Sequence, residues 1–287
     1  MNPRQLEYVV AACEEGTFTA AAERCLVAQP SLSSSIAQLE REVGTLLFHR
    51  VGRSIRPTPA CEALLPLARD ALRALEAARA SVADGVSGVR GRVELAVQPT
   101  LVVHPTIRLI EQLRSRFPDI TVRLVSPADD ESVSELVESG RCELAIGEGP
   151  VGGHLRWIPI GVEQFAIVFP PGARVPHRHA IAALDGRDMV AAPPGAPTRA
   201  VLDDACAAAG VTPRIVVEAD HRDALVPLVL AGVGAALLPA SSLPPSLPSE
   251  ATIVALPAIR RSVGLIHRDA ALTPAASALI EVAGHSD

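Results

Sequence analysis

Residues 17–50 read TFTAAAERCLVAQPSLSSSIAQLEREVGTLLFHR, a stretch that spells two helices joined by a tight turn. Thr17 can accept hydrogen bonds from the free N–H groups that open a short helix, Phe18 to Cys25. The Ala20-Ala21-Ala22 run in that helix leaves a surface small enough for another helix to cross closely. Val27-Ala28-Gln29 is the connection. Pro30, with no N–H to lose, suits the first turn of the next helix. Leu32, Ile36, Leu39 and Val43 recur at helical spacing as its buried stripe, and Gly44 ends it. The other face carries Gln29, Ser31, Ser33, Ser34, Ser35 and Gln38, all hydroxyls and amides. Upstream, Leu6, Val9, Val10 and Cys13 mark one face of a preceding helix that stops at Gly16.

Two short helices joined this way, the second apolar behind and polar in front, have the geometry that lays a recognition helix into a major groove. Ser and Gln there can reach phosphates and base edges. A polar, solvated helix of any α-bundle would read the same. LFHRVGRSIRPT, residues 47–58, adds a second feature: apolar residues alternate with Arg50, Arg53 and Arg56 around Gly52, as in a short β-hairpin wing whose cations flank a groove. Within residues 1–60 six Arg balance six Glu, so the net charge of -6 comes from the acid downstream. A DNA contact must then rest on where charge is placed, not on its sum.

The stretch MNPRQLEYVVAACEEGTFTAAAERCLVAQPSLSSSIAQLEREVGTLLFHRVGR closely resembles the N-terminal domain of LysR-type transcriptional regulators. The family pattern is met by Phe18, Thr19, Ala21, Ala22, Gln29, Pro30, Leu32, Ser33, Ile36, Leu39, Glu40, Gly44, Leu47, Phe48 and Arg50. The resemblance implies a bacterial DNA-binding transcription regulator whose double-stranded DNA contacts come from Thr17, Phe18, Thr19, Gln29, Pro30, Ser31, Ser33, Ser34, Ser35, Gln38, Arg50, Arg53 and Arg56. Five positions depart from the pattern. Ala28 replaces the usual capping Ser, which costs about 1 kcal/mol of helix stability. Ser34 stands where a cation is common, Cys25-Leu26 replaces Leu followed by a polar residue, and Cys61 replaces a frequent Gly.

From Thr58 to about Val86 the chain is rich in Ala, Leu, Arg and Glu. Leu64, Ala68, Ala71, Leu75, Ala78 and Val82 follow at four-three-four-three-four spacing, a heptad seam. Pro66 must lie near the first turn or kink the helix. The seam fits either a helix packed on its own domain or one that pairs two chains; the resemblance implies pairing, as a dimer and as a tetramer built from two dimers. Ser87-Gly88-Val89-Arg90-Gly91 reads as a hinge.

Beyond it, strands and helices alternate. VELAVQP, a helix through Ile107, Ile110, Leu113 and Phe117, ITVRLVS, a helix near Ser132 to Ser139, and CELAIGEG form a βαβαβ series, which indicates a largely parallel sheet. IGVEQFAIVFP, DMVAAPP, a helix from Arg199 to Ala209, RIVVEAD, a helix from Arg222 to Ala231, and GAALLPASS repeat it. SVGLIHRD and a helix from Thr273 to Val282 close the chain. Two doubly wound lobes joined by crossing strands create a cleft at the strands' carboxyl ends, where ligands bind. The resemblance extends here through GRVELAVQPTLV, FPDITVRL, GRCELAIG and LVLAGVGAALLP. It implies a periplasmic-binding-protein-like α/β domain holding a small-molecule effector at Gln98, Pro99, Thr100, Ser126, Gly147, Glu148, Thr198 and Arg199. Hydroxyls and N–H groups near Thr100 and Thr198 would favour an anion. Glu148 would oppose one unless a cation such as Arg199 intervenes, and Thr198 could equally be a helix cap. The expected layout is a winged helix-turn-helix domain (1–58), linker helix and hinge (59–91), and a two-lobed effector domain (92–287). Lobe I covers about 92–160 and 266–287, and lobe II about 161–265.

At 287 residues, with 48% hydrophobic and 20% charged residues, the chain belongs with folded globular proteins and not with disordered or fibrous ones. The opening residues lack the pattern of a signal peptide, and no later stretch is long and apolar enough for a membrane span, so a cytoplasmic protein with no membrane partner is expected. Cys13, Cys25, Cys61, Cys142 and Cys206 are odd in number and dispersed, against both a disulfide framework and a zinc site. His177-Arg178-His179 lacks further metal ligands and reads as a solvated loop. Gly232-Val233-Gly234 and Gly147-Glu148-Gly149 lack the rest of a dinucleotide fingerprint, so no cofactor is expected. A solute-binding protein without regulatory output would fit residues 92–287 but not 1–58. An α/β enzyme fused to a helical domain has no nucleophile or base motif to rest on.

Overall fold

The computed structural model describes residues 1–52, 54–83, 88–128, 131–175, 180–244 and 251–284. Arg53, the 177–179 stretch and the side chain of Val82 lie outside the described residues. The N-terminal unit is α1 (Pro3–Glu15), α2 (Phe18–Arg24), α3 (Gln29–Val43) and a hairpin of β1 (Phe48–Val51) and β2 (Ser54–Pro57). Asn2 accepts from the Gln5 N–H while Gln5 reaches back to the Asn2 N–H, a capping box that fixes the start of α1. Thr17 Oγ1 accepts from Ala20 N–H at 3.2 Å, the cap read from sequence. Gly16 and Gly44 take φ of +68° and +74°, left-handed stops that a Cβ would strain. Ala28 leaves α3 without a side-chain cap. The adjoining turn also holds Leu26 at φ +56° and 91% exposed, an unusual setting for an apolar residue.

Val9, Ala12, Ala21, Leu32, Ile36, Leu39, Leu47 and Phe48 form the core of this unit. Val43, expected in the buried stripe, is 39% exposed. The stripe ends at Leu39 because Leu47 and Phe48 fold back and close the core there.

Helix α4 (Pro59–Ala83) leaves the wing and carries Pro66 inside it. Leu64 and Leu65 pack against the core of the N-terminal unit, and Ala68 is buried, so that part of the heptad seam is occupied by the chain's own body. Leu67 and Leu75 are exposed. The same helix is tied to both α1 and the C-terminal part. Arg69 donates to Glu14 Oε1 at 2.8 Å and to the Ser139 carbonyl at 2.7 Å, Arg73 donates to the Gly140 carbonyl at 2.7 Å, and Arg268 donates to Asp70 Oδ2 at 2.7 Å. Burial pushes the Glu14 carboxyl up, but its bonds to Arg69 and Arg24 outweigh that and hold it below the usual range. Gly140, at φ +69°, admits the helix: a Cβ there would lie 2.9 Å from Pro66 Cα.

The C-terminal part contains β3 (Gly91–Val97), α5 (Thr106–Arg116), β4 (Ile120–Val125), α6 (Val133–Glu138), β5 (Leu144–Glu148), β6 (Leu155–Phe169) and β7 (Asp188–Ala191). It continues with α7 (Pro197–Ala209), β8 (Arg214–Glu218), α8 (Leu225–Leu230), β9 (Ala236–Pro239), β10 (Thr252–Arg268) and α9 (Pro274–Ala283). One sheet has the order β4-β3-β5-β10-β6-β9, and β7-β8 form a second. The expectation of a largely parallel sheet holds for β4-β3-β5 and β7-β8 only; β10 is antiparallel to β5 and β6, and β9 to β6. The cause is the crossing strands. Strand β10 runs back along the whole of β6, from Thr252 opposite Phe169 to Arg268 opposite Leu155, and so serves both lobes. Leu95, Leu113, Ile146, Leu265 and Leu279 centre the first core, and Phe165, Phe169, Met189, Leu202 and Leu237 the second. The expected helix from Arg222 is a short 3-10 turn (Arg222–Ala224) followed by α8. Among the described residues no helix is long and apolar enough to cross a membrane.

Candidate nucleic-acid interface and inter-lobe cleft

The polar face of α3 is presented outward: Pro30, Ser31, Ser34 and Gln38 are exposed and Gln29, Ser33 and Ser35 half-buried. Thr19 is exposed beside it, while Thr17 is spent on capping α2. Phe18 is a packing residue. Its ring meets Phe48 edge-on at 5.6 Å and carries the Arg50 guanidinium at 5.6 Å. Arg50 in turn donates to Ser33 Oγ at 3.2 Å, so the wing cation and the α3 hydroxyl share one surface. Arg56, opposite His49 in the hairpin, is exposed.

Two contributions were hidden from the sequence reading. Arg4 and Tyr8 of α1 border a groove of about 390 Å³ together with Ser31 and Ser35 of α3, so α1 extends the polar surface. Glu40, read only as part of a motif, ties α3 to the wing: its Oε1 accepts from the N–H groups of Leu47 at 2.8 Å and Phe48 at 3.2 Å. Hydrogen bonds to a charged acceptor contribute about 1.5–3 kcal/mol. Glu40→Ala is therefore expected to destabilise the protein by about 2 kcal/mol in chemical denaturation. Glu40→Gln keeps an acceptor oxygen and should cost under about 1 kcal/mol.

At the carboxyl ends of β3 and β5, Gln98, Thr100 and Glu148 come together around Arg261 of β10. Gln98 Nε2 donates to Glu148 Oε1 at 3.1 Å, and Arg261 donates to Thr100 Oγ1 at 2.6 Å, to Glu163 Oε2 at 2.6 Å, and to Glu148. Ser241 donates to Glu163 Oε1 at 2.7 Å, and the Arg261 guanidinium lies over the Phe165 ring at 5.3 Å. Arg222 reaches across, donating to the Pro99 carbonyl and to Ser242 Oγ, the latter at 2.9 Å. Burial lowers its pKa, and Ser242 and the carbonyl are neutral partners. Gly147 is buried where a Cβ would meet Val133 at 2.9 Å, which lets β5 approach α6.

The remaining residues named from sequence lie apart from this cluster. Ser126 is exposed beyond β4. Thr198 is buried in the first turn of α7, whose cap is Ala196, so it is not a helix cap. Arg199 does not reach Glu148: it pairs with Asp203 at 3.0 Å and Glu218 at 2.9 Å, and Glu218 followed by Asp203 raises its pKa. The cation beside Glu148 is Arg261. Glu163, Arg222, Ser241, Ser242 and Arg261 were missed; for Glu163 and Arg261 the available signal was a charge inside a crossing strand, and for the other three there was none. Among the described residues no group of three or more His, Cys, Asp or Glu could hold a metal ion.

Residues 3–62 match the family described as bacterial regulatory helix-turn-helix protein, lysR family, and residues 87–286 match the LysR substrate binding domain. A probable hydrogen peroxide-inducible genes activator of Mycobacterium leprae is 30% identical over 272 residues, covering 92% of this chain and 87% of that protein. A full-length OxyR variant from Pseudomonas aeruginosa superposes with a TM-score of 0.71 at 23% identity, covering 100% of this chain and 97% of the other. Full-length CbnR complexed with its target DNA gives 0.58 at 23%, covering 100% and 99%. With both parts matched along nearly their whole length, the chain belongs to the LysR family of bacterial DNA-binding transcriptional regulators that respond to a small-molecule effector.

Proposed function

We propose that residues 1–58 read double-stranded DNA with the outer face of α3, Gln29 to Gln38, flanked by Thr19 and by Arg50, Arg53 and Arg56 of the wing. Thr17 and Phe18 support that surface from behind. The observation that carries this reading is the Arg50–Ser33 bond at 3.2 Å, which joins wing and helix into one continuous polar face. Arg groups there would neutralise phosphates while Gln and Ser meet base edges. The likeness of fold to CbnR, solved with its target DNA, supports the same orientation.

Two copies pair through α4, giving a dimer and then a dimer of dimers. With Leu64 and Ala68 covered by the chain itself, the pairing surface is Ala71, Leu75 and Ala78 extended by Leu67, whose 65% exposure supports it. The effector enters between lobe I (about 92–160 and 266–287) and lobe II (about 161–265). It replaces the Arg222 contact to Pro99 and engages Thr100 with the Gln98–Glu148 pair. It shifts the balance between lobe arrangements without being transformed, and the regulator works in the cytoplasm.

Purified full-length protein should bind DNA from its own upstream region far better than bulk DNA, with affinity falling steeply as salt rises. Fluorescence anisotropy across salt concentrations measures this. Equal affinity for both DNAs would overturn the proposal.

A further inference from the structure

Cys13 and Cys61 are 48 positions apart in the chain, yet their sulfurs lie 3.4 Å from one another. Cys13 is on α1 and half-exposed; Cys61 is in the first turn of α4 and buried. A disulfide needs about 2.05 Å, so the sulfurs must close by only about 1.4 Å, within reach of small χ1 adjustments at both residues. We infer that Cys13 and Cys61 form a reversible oxidation site, at which a peroxide converts the two thiols to an intramolecular disulfide joining α1 to α4. The site lies in the DNA-reading half, away from the inter-lobe cleft, and rests on neither the DNA nor the effector proposal.

The surroundings give the two sulfurs different roles. A hydrogen bond from the Cys61 thiol lowers the Cys13 pKa against the effect of burial, and Arg69 helps, while Glu14 and Glu62 oppose. The same contact and burial push Cys61 up. Cys13 is thus the nucleophile, being both nearer to thiolate and reachable from solvent, and Cys61 resolves. Elsewhere burial raises the thiols: Cys142 is pushed up to about 11, and Cys25 and Cys206 also rise.

In the first step the Cys13 thiolate attacks one peroxide oxygen, the O–O bond breaks, and the departing hydroxide takes a proton from solvent to leave as water. Cys13 becomes a sulfenic acid. The Cys61 sulfur then attacks the Cys13 sulfur; the S–O bond breaks and hydroxide leaves with the Cys61 proton as a second water. The two thiols lose two electrons in all, and the peroxide is reduced to two waters.

The test treats the reduced full-length protein with hydrogen peroxide in modest excess, blocks remaining thiols with N-ethylmaleimide in denaturant, and digests without reductant. The expected result is a linked peptide pair containing Cys13 and Cys61, a loss of two thiols from the five present, and full recovery on adding dithiothreitol. Cys61→Ser, which keeps a donor beside Cys13 but cannot form the disulfide, should instead leave a Cys13 sulfenic acid that dimedone labels. Complete alkylation of both residues in the oxidised wild-type protein overturns the inference, as does linkage of either to another cysteine. The wild-type measurement stands whether or not the variant folds.

Discussion

Replacing Arg261 by Leu is expected to lower the unfolding free energy by about 3–5 kcal/mol, the cost of stranding a buried charge. Its guanidinium serves Glu163, Glu148 and Thr100 at once, and Glu163 has a side chain only 2% exposed. Without Arg261, Ser241 is left as the donor to that carboxylate. Glu163 then keeps its buried charge with Ser241 bonded to it and Arg222 acting only at longer range, which costs stability. Removing both partners together, as in R261L with E163L, should recover most of the loss, because the desolvation cost disappears with the pair. Chemical denaturation of wild type, both single variants and the double variant gives the coupling directly. A single-variant loss below about 1 kcal/mol would show that water reaches Glu163.

Alanine at both Arg50 and Arg56 is expected to weaken DNA binding by about 3 kcal/mol, or ~100-fold, taking about 1.5 kcal/mol for each charged hydrogen bond lost. Both side chains are exposed on the wing, and the surface contacts of Arg50 with Ser33 and the Phe18 ring contribute only weakly to the fold. The diagnostic quantity is the salt dependence. Each phosphate contact contributes about 0.9 to the slope of log affinity against log salt, so the double variant should be shallower by about 1.8. The loss should be uniform across DNA sequences, since phosphates carry no sequence information. Anisotropy titrations over several salt concentrations check this, and an unchanged slope would remove the wing from the backbone contacts.

The N-terminal unit was legible because its signals are local. Thr17 caps three residues ahead, Gly16 and Gly44 stop helices where they stand, and Leu32, Ile36 and Leu39 mark a stripe within one helix. Val43 failed because its burial depends on where Leu47 and Phe48 fold, which helical spacing cannot express. The strands of the C-terminal part were legible as apolar runs, but their directions were not: an apolar run reads alike in parallel and antiparallel sheets, so β10 was misjudged. The cleft was half legible. Gln98, Thr100 and Glu148 lie at strand ends, a local position, whereas Arg261 reaches Thr100 and Glu148, and Arg222 the Pro99 carbonyl, from more than a hundred residues away. Cys13 and Cys61 met for the same reason, through the packing of α4 on α1.

Helix α4 spans 25 residues, about 37 Å at 1.5 Å per residue. Arg69 holds α1 with one nitrogen and the Ser139 carbonyl with another, while Asp70 is clasped by Arg268 at the end of β10. The winged unit and the first lobe are therefore both tied to the same helix. A tilt of about 5° over that length displaces one end relative to the other by about 3 Å. That is close to the rise of about 3.4 Å between successive bases on one strand. If effector binding at the proposed cleft tilts α4, the displacement at the winged end is of the order of one base step.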